Sequence, residues 1–494
     1  MRLLSVLRDL DFDLVQGDPN VEVEAVSFDS REVVPGGAFV AISGFTVDGH
    51  AFIPKALGLG ASVIIVEKDV RIDEPVTVVK VKDTRDALAR VSSNFYGRPT
   101  EKLNMVGITG TNGKTSISYF IKSILEHAGK KVGIIGTIGT VIGSELRKNK
   151  NTTPEALYLQ QIFAEMVSSD IQTCVMEVSS HALSLKRVAY SRFSTGIFTN
   201  LTPDHLELHN SMEEYFEAKS QLFELTSDYN IINADDPYGR RLIDKVQVSP
   251  AKTITYGIDH KADVYATDIR YFIDSTVFTA HTPDGSIEIK VNLPGDIYVL
   301  NSLAAIAWAR CSGIPLEVVK DGIQAVEGIK GRMEVVYRDD SNLVIVDFAH
   351  TEDSLEKVLT TLKPYAKGRI ILVFGVYAAP GELGLPKRRA MGKVAAQHAD
   401  LSIVTSDNPK DQDPDSIIAD IVDAVEEAGG SYKAIVDRKE AIEYALSAAR
   451  QDDIVLITGK GHETSQIIGK TEIPFNEAEI VNEFKKRQLL NNGK

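Results

Sequence analysis

The sequence predicts an α/β protein of three domains: a small amino-terminal α/β domain, a central domain on a parallel sheet, and a doubly wound carboxyl-terminal domain. Three observations carry that prediction. The chain has 494 residues, and domains average roughly 100–200 residues, which gives about three. Two long stretches alternate apolar strand-like runs with helical patterns, as helices covering a mainly parallel sheet require. Apolar residues make up 43% and charged residues 25%, an ordinary globular balance that excludes collagen, low-complexity disorder and a disulfide scaffold.

The elements follow in order. Residues 1–98 hold short alternating runs such as Val21 to Val26, a helix-like stretch from Phe52 to Leu59 and the apolar run Ala61 to Val66. Tyr96-Gly97-Arg98-Pro99-Thr100 reads as a linker, because Gly and Pro interrupt periodicity. The central domain, 99–331, opens on a strand from Leu103 to Thr109 and a Gly-rich loop. Ile117, Phe120, Ile121, Ile124 and Leu125 then recur at helical spacing, and Gly129 is a plausible stop. Further strands are expected at 132–135, 173–178, 193–198 and 229–233. A second boundary falls near Gly328 to Arg332. Within 332–494, strands at 343–348, 370–374, 401–405 and 454–458 alternate with helices at 354–362, 389–397, 416–428 and 438–449.

Charge and cysteine content narrow the function. Lys+Arg total 54 against Asp+Glu 69, a net charge of −15. Such a chain lacks the electrostatic footprint of a nucleic-acid binder, while a local basic pocket for a small anion stays possible. Cys174 and Cys311 are too few for a disulfide framework and read as small buried hydrophobes. No run approaches the ~20 apolar residues of a membrane span. The start is charged again at Arg8-Asp9 before a signal-length apolar run forms. The expectation is a cytoplasmic protein with no nucleic-acid partner.

The sharpest local feature is Gly107-Ile108-Thr109-Gly110-Thr111-Asn112-Gly113-Lys114-Thr115 between a strand and a helix. Glycines let backbone N–H groups converge on a phosphate, and the helix start favours an anion. Lys114 can reach the β and γ phosphates of a nucleotide, and the Thr115 hydroxyl can ligate Mg²⁺. The strict phosphate-loop pattern places Gly six residues before the Lys, where Ile108 stands, so this is a variant of it. Glu177 ends another apolar strand, where α/β sheets bind ligands. His205 follows a further strand in Asn200-Leu201-Thr202-Pro203-Asp204-His205, and Lys219 lies on a helical stretch. Each has a bland alternative: a helix cap, a loop histidine and a solvated lysine.

Together these motifs resemble the Mur ligase family, the ATP-dependent amide-forming ligases of peptidoglycan precursor synthesis. Their order fits its tripeptide-synthetase branch, which extends UDP-N-acetylmuramoyl-L-alanyl-D-glutamate. Asp29-Ser30-Arg31 and Gly44 to His50 resemble the uridine domain, and Asn151-Thr152-Thr153-Pro154-Glu155 the muramoyl-peptide loop. Asp347 to Thr351, Asp407-Asn408-Pro409 and Gly459 to Thr464 resemble carboxyl-terminal motifs, so the likeness runs through the whole chain. It implies a UDP-binding domain (1–98), a central P-loop ATPase domain (99–331) and a Rossmann-like amino-acid-binding domain (332–494). It further implies that Gly110, Thr111, Asn112, Gly113, Lys114, Thr115, Asn301, Arg332 and Asp347 bind ATP. Thr115, Glu177, His205 and a carbamylated Lys219 would serve Mg²⁺, with Lys114, Glu177, His205 and Lys219 as the catalytic set. Ser30, Thr152, Thr153, Ser179 and Arg187 would hold UDP-MurNAc-L-Ala-D-Glu. The incoming amino acid would meet Asp407, Asn408, Lys410, Gly459 and Glu463. A monomer is expected. Specialised relatives that join another amino acid or acceptor, and a non-catalytic nucleotide-binding homologue, are the alternatives.

Two departures fall in the amino-acid pocket. Family members adding meso-diaminopimelate usually carry Asp-Asn-Pro-Arg, whereas this chain ends that run in Lys410. Lysine keeps the charge but cannot clamp a carboxylate in bidentate fashion. A Gly-Gly-Asp-Arg-Asp-like loop is replaced by Val376-Tyr377-Ala378-Ala379-Pro380-Gly381-Glu382-Leu383-Gly384, so an expected arginine is missing. Arg388 and Arg389 are the candidates to compensate. Diaminopimelate, L-lysine and an unusual amino acid all stay open.

Overall fold

A computed structural model describes residues 1–44, 47–204, 209, 211–339, 342–377 and 384–492. The chain forms two compact units. One comprises Met1–Leu201, Leu208–Tyr265 and Leu303–Gly322; the other comprises Thr202–Glu207, Ala266–Ser302 and Ile323–Lys494.

The first unit contains two sheets. The amino-terminal one runs β1 (Asp13–Gln16), β5 (Thr77–Lys80), β4 (Val63–Val66), β3 (Ala38–Val40), β2 (Val26–Ser27), parallel except for β1. Every residue of β4 is buried, as its continuous apolar run predicts. The alternating run from Val21 adds only its last residue to a strand, because Val23 and Glu24 donate their N–H groups to the carbonyls of Met1 and Gly36 instead.

The second sheet is the scaffold of the candidate site. Six of its parallel strands lie in the order β13 (Lys252–Gly257), β12 (Thr226–Asn233), β11 (Phe193–Phe198), β6 (Asn104–Thr109), β10 (Thr173–Glu177) and β7 (Val132–Ile135). An antiparallel edge, β8 (Thr140–Ile142) and β9 (Glu145–Arg147), follows. The five strands expected here are all present. Burial on both faces explains why they read as unbroken apolar runs. Because β10 and β11 flank β6, the segments after these three strands emerge side by side at the carboxyl edge. The predicted apolar face of helix Lys114–His127 is buried at all five positions.

The second unit is built on a six-stranded sheet: β17 (Glu334–Arg338), β18 (Asn342–Asp347), β22 (Asp453–Thr458), β19 (Ile370–Phe374), β20 (Leu401–Val404) and β21 (Tyr432–Ala434). Only β17 is antiparallel. The four expected helices occur at Glu352–Leu362, Leu385–His398, Pro414–Glu427 and Arg438–Ala448. Thr351 caps the first through a reciprocal pair with Ser354. Cys174 is buried as expected, and burial pushes its thiol pKa up. Cys311, in the last turn of its helix, is only half-buried. Among the described residues no helix is long and apolar enough to cross a membrane.

Candidate active site

The loop after β6 is fastened to the loop after β11. Thr111 and Asn112 donate their backbone N–H groups to the Asn200 carbonyl and to Asn200 Oδ1, each at 2.9 Å. The Thr199 hydroxyl donates to the Asn112 carbonyl at 2.7 Å. Gly110 has a φ of +142°, and a Cβ there would lie 1.8 Å from Thr199 Oγ1. Only glycine satisfies both the dihedral and the approach. Lys114 folds over the loop and donates to the carbonyls of Gly110 and Thr111 at 2.9 and 2.8 Å.

Glu177, at the end of β10, is buried against this loop. The Thr115 hydroxyl donates to its Oε1 at 2.9 Å. The Thr137 N–H reaches the same oxygen at 3.1 Å, and the Thr137 hydroxyl reaches Oε2 at 2.8 Å. A buried carboxylate thus stands beside the hydroxyl expected to meet Mg²⁺. Mg²⁺ favours one or two carboxylates together with phosphate oxygens, and this donor set fits it. The Tyr119 phenol is pushed up by burial and, secondarily, by the Glu177 charge. Thr137 carried no sequence signal beyond its place after a strand.

Lys219 is not a solvated helix residue: it is 2% exposed on helix Met212–Glu224. Its Nζ donates to the Gly110 carbonyl at 2.9 Å and lies 4.6 Å from the Tyr215 ring centre. His209 stacks on that ring at 5.0 Å, and His181 meets His209 edge-on at 6.1 Å. The lysine therefore reaches the phosphate loop from the helix beneath it. His205 lies outside the described residues.

The residues expected to hold the muramoyl dipeptide form a network with Glu177. Thr152 and Thr137 share a hydroxyl contact of 3.2 Å. Thr153 is fully buried; its hydroxyl donates to the Glu177 carbonyl at 2.8 Å and accepts the Ser179 N–H at 3.1 Å. Ser179 caps helix Ser180–Ser184. Arg187 donates to the Thr153 carbonyl at 3.1 Å and pairs with Glu155 at 2.6 Å. Ser30 belongs to the amino-terminal sheet region. Beside it, hydrogen bonding from Arg31 lowers the Asp29 pKa from 3.8 to about 2.

The other expected ATP residues lie in the second unit. Asp347 ends β18, and its two oxygens accept the N–H groups of Met333 and Ala349, each at 2.7 Å. Burial raises its pKa, against the opposing effects of Arg332 and these amides. The Arg332 guanidinium covers the Phe348 ring at 4.6 Å. Asn301 is 4% exposed, and its Nδ2 has no hydrogen-bond partner among the described residues, which leaves a buried donor for a ligand acceptor.

Also in this unit, the expected amino-acid residues come together around a lysine that sequence reasoning did not single out. Lys460 is fully buried and donates to Glu463 Oε2 at 2.7 Å and Asn408 Oδ1 at 3.0 Å. Asn408 Nδ2 donates to Glu463 at 3.2 Å. Glu463 is thus charge-paired with Lys460. Gly459 has a φ of +115°, and a Cβ there would approach Asp407 Oδ2 to 2.6 Å. Lys410 is exposed. Arg388 is buried and bonded to Asp420 and Gln412 at 2.8 and 2.7 Å, while Arg389 pairs with Glu427. Both candidate substitutes for the missing arginine are therefore committed elsewhere. Residues 378–383 of the departing loop lie outside the described residues.

Three family models match the chain in order: "Mur ligase family, catalytic domain" at 22–96, "Mur ligase middle domain" at 108–309, and "Mur ligase, glutamate ligase domain" at 331–461. A relative from Alkaliphilus metalliredigens is 43% identical over 493 residues, covering 100% of this chain and 99% of its own length. One from Clostridioides difficile is 44% identical over 483 residues, covering 98% and 99%. Both are named UDP-N-acetylmuramoyl-L-alanyl-D-glutamate–2,6-diaminopimelate ligase. A solved structure of that name superposes with a TM-score of 0.70 at 30% identity, covering 99% of each chain. With its phosphate loop, buried carboxylate and buried lysine, three family models in order and relatives above 40% identity over its whole length, this chain belongs to the Mur ligase family.

Proposed function

We propose that the protein is an ATP-dependent ligase that joins 2,6-diaminopimelate to UDP-N-acetylmuramoyl-L-alanyl-D-glutamate. It works with three functional domains, 1–98, 99–331 and 332–494. The observation that carries this is the buried Thr115–Glu177 pair and the buried Lys219 converging on one phosphate loop. The named substrates of the full-length relatives supply the acceptor and the amino acid.

The chemistry accounts for the residue types. A carboxylate is a poor acyl donor, because its oxygen is a poor leaving group. One carboxylate oxygen of the dipeptide attacks the γ-phosphorus, giving an acyl phosphate and ADP. The amine then adds to the carbonyl carbon and loses a proton, and phosphate departs with its C–O bond. Lys114, Thr115 and the loop amides neutralise and align the transferring group. Mg²⁺, when bound, would screen phosphate charge, with Thr115, Glu177 and His205 as its protein contacts. Asn301, Arg332 and Asp347 take adenine, phosphate and ribose respectively. Ser30, Thr152, Thr153, Ser179 and Arg187 hold the nucleotide dipeptide. Asp407, Asn408, Lys410, Gly459 and Glu463 orient the amino acid. Lys219 acts as a carbamate: its neutral amine adds CO₂, releases a proton to water and becomes an anion that would help hold Mg²⁺.

The test is Mg²⁺-dependent phosphate release. It should require nucleotide dipeptide and amino acid together. Lys219→Ala should lose about 100-fold or more of kcat and regain part of it with short-chain carboxylates. Full activity in that variant would refute the carbamate. Phosphate release without the nucleotide dipeptide would refute the ligase reading.

A further inference from the structure

We infer that Lys387, with Lys410 and the ring of Tyr377, forms the subsite that selects an amino acid bearing a distal carboxylate. This rests on the ligase reading above and deepens it. 2,6-Diaminopimelate carries an ammonium and a carboxylate at each end, so a pocket for it needs cations at both ends. The sequence lacks the arginine expected in the loop after β19, has Lys410 in place of a second, and Arg388 and Arg389 are committed to other partners.

The structure supplies two cations at one aromatic face. Lys387 lies in the first turn of helix Leu385–His398, and its Nζ is 4.7 Å from the Tyr377 ring centre. Lys410 Nζ is 6.0 Å from the same centre. Lys410 has a φ of +51°, and its backbone is tied into the hairpin strand Ser465–Ile468 by a 3.2 Å bond to the Ile467 carbonyl. That places its stem beside Asn408, whose Oδ1 accepts the Ile467 N–H at 2.9 Å. Asp204 is the acidic partner of Lys387, at 3.4 Å. Among the described residues Asp204 is the one carboxylate ion-paired with either ammonium, which leaves one positive charge over for an incoming carboxylate. The Tyr377 face holds both cations without neutralising either. Two lysines then do the work of one guanidinium, with two separate point charges in place of a planar fork.

Steady-state kinetics of the full-length enzyme with meso-diaminopimelate and with L-lysine, which lacks the distal carboxylate, tests this. Lys387→Gln should raise the KM for diaminopimelate about tenfold or more. The KM values for ATP, the nucleotide dipeptide and L-lysine should stay within about twofold. Lys387→Arg, which keeps the charge, should retain diaminopimelate selectivity and guards against a merely structural loss. Equal losses for both amino acids, or no change for diaminopimelate, would overturn the subsite while the ligase reading stood. If the unmodified enzyme made no nucleotide tripeptide with any diamino acid, both would fall.

Discussion

At the phosphate loop, single atoms decide what is tolerated. Gly110→Ala would drive a methyl group to 1.8 Å from the Thr199 hydroxyl at a dihedral that L-residues avoid. It should cost about 1–3 kcal/mol of stability and weaken ATP binding, checked by denaturant unfolding and calorimetry. Thr137 donates twice to the Glu177 carboxylate. Thr137→Val should raise the Mg²⁺ concentration for half-maximal activity about 10- to 100-fold, whereas Thr137→Ser should stay near the unmodified enzyme. Asp29 gives a titration test. Its folded pKa of about 2 lies below the ordinary 3.8. Its stabilising contribution is therefore complete above 3.8 and lost as pH falls through about 2. Arg31→Met should bring the Asp29 titration, followed by NMR, back toward its ordinary range. Lys114 and Thr115 were legible because the phosphate loop is contiguous in sequence. Thr137 was not, because what matters is its approach to a carboxylate 40 residues away, which no local pattern encodes.

Among elements, the parallel strands were the most legible, because burial on both faces writes itself as an unbroken apolar run. Short edges such as β8, β9 and β17 carry no such run and were not foreseen. The helix Arg438–Ala448 was read from its periodicity, but not what its first residue does. Arg438 and Glu477 are both about 1% exposed and pair at 2.7 Å. Arg438 also donates to the carbonyls of Thr458 and Ser406, at 2.6 and 3.4 Å. Those residues precede Gly459 and Asp407, so one guanidinium straps both loops of the proposed amino-acid pocket. Arg438→Met would strand a buried Glu477 and should cost about 3–5 kcal/mol. Arg438→Met with Glu477→Leu should recover most of that in denaturant unfolding. The KM for the amino acid should stay high, since the straps are gone in both variants.

At the scale of the whole molecule, a net charge of −15 coexists with two anionic substrates, because anion binding is left to local devices. Lys114, Arg332 and a helix start at Lys114 would do this work, and Lys219 would add an anion where the sequence shows a cation. Overall charge therefore argues against a nucleic-acid partner and says nothing about nucleotides. The α/β class was readable from strand–helix alternation, and the motif order from the family resemblance. The identity of the third amino acid was not, because Lys387, Tyr377 and Lys410 meet only in the fold. A competition among meso-diaminopimelate, L-lysine, L-ornithine and L-glutamate, in the presence of ATP, Mg²⁺ and the nucleotide dipeptide, tests the central claim most directly. Read by mass of the nucleotide product, it should give the diaminopimelyl tripeptide almost alone; a lysyl or glutamyl product in its place, or none at all, would contradict it.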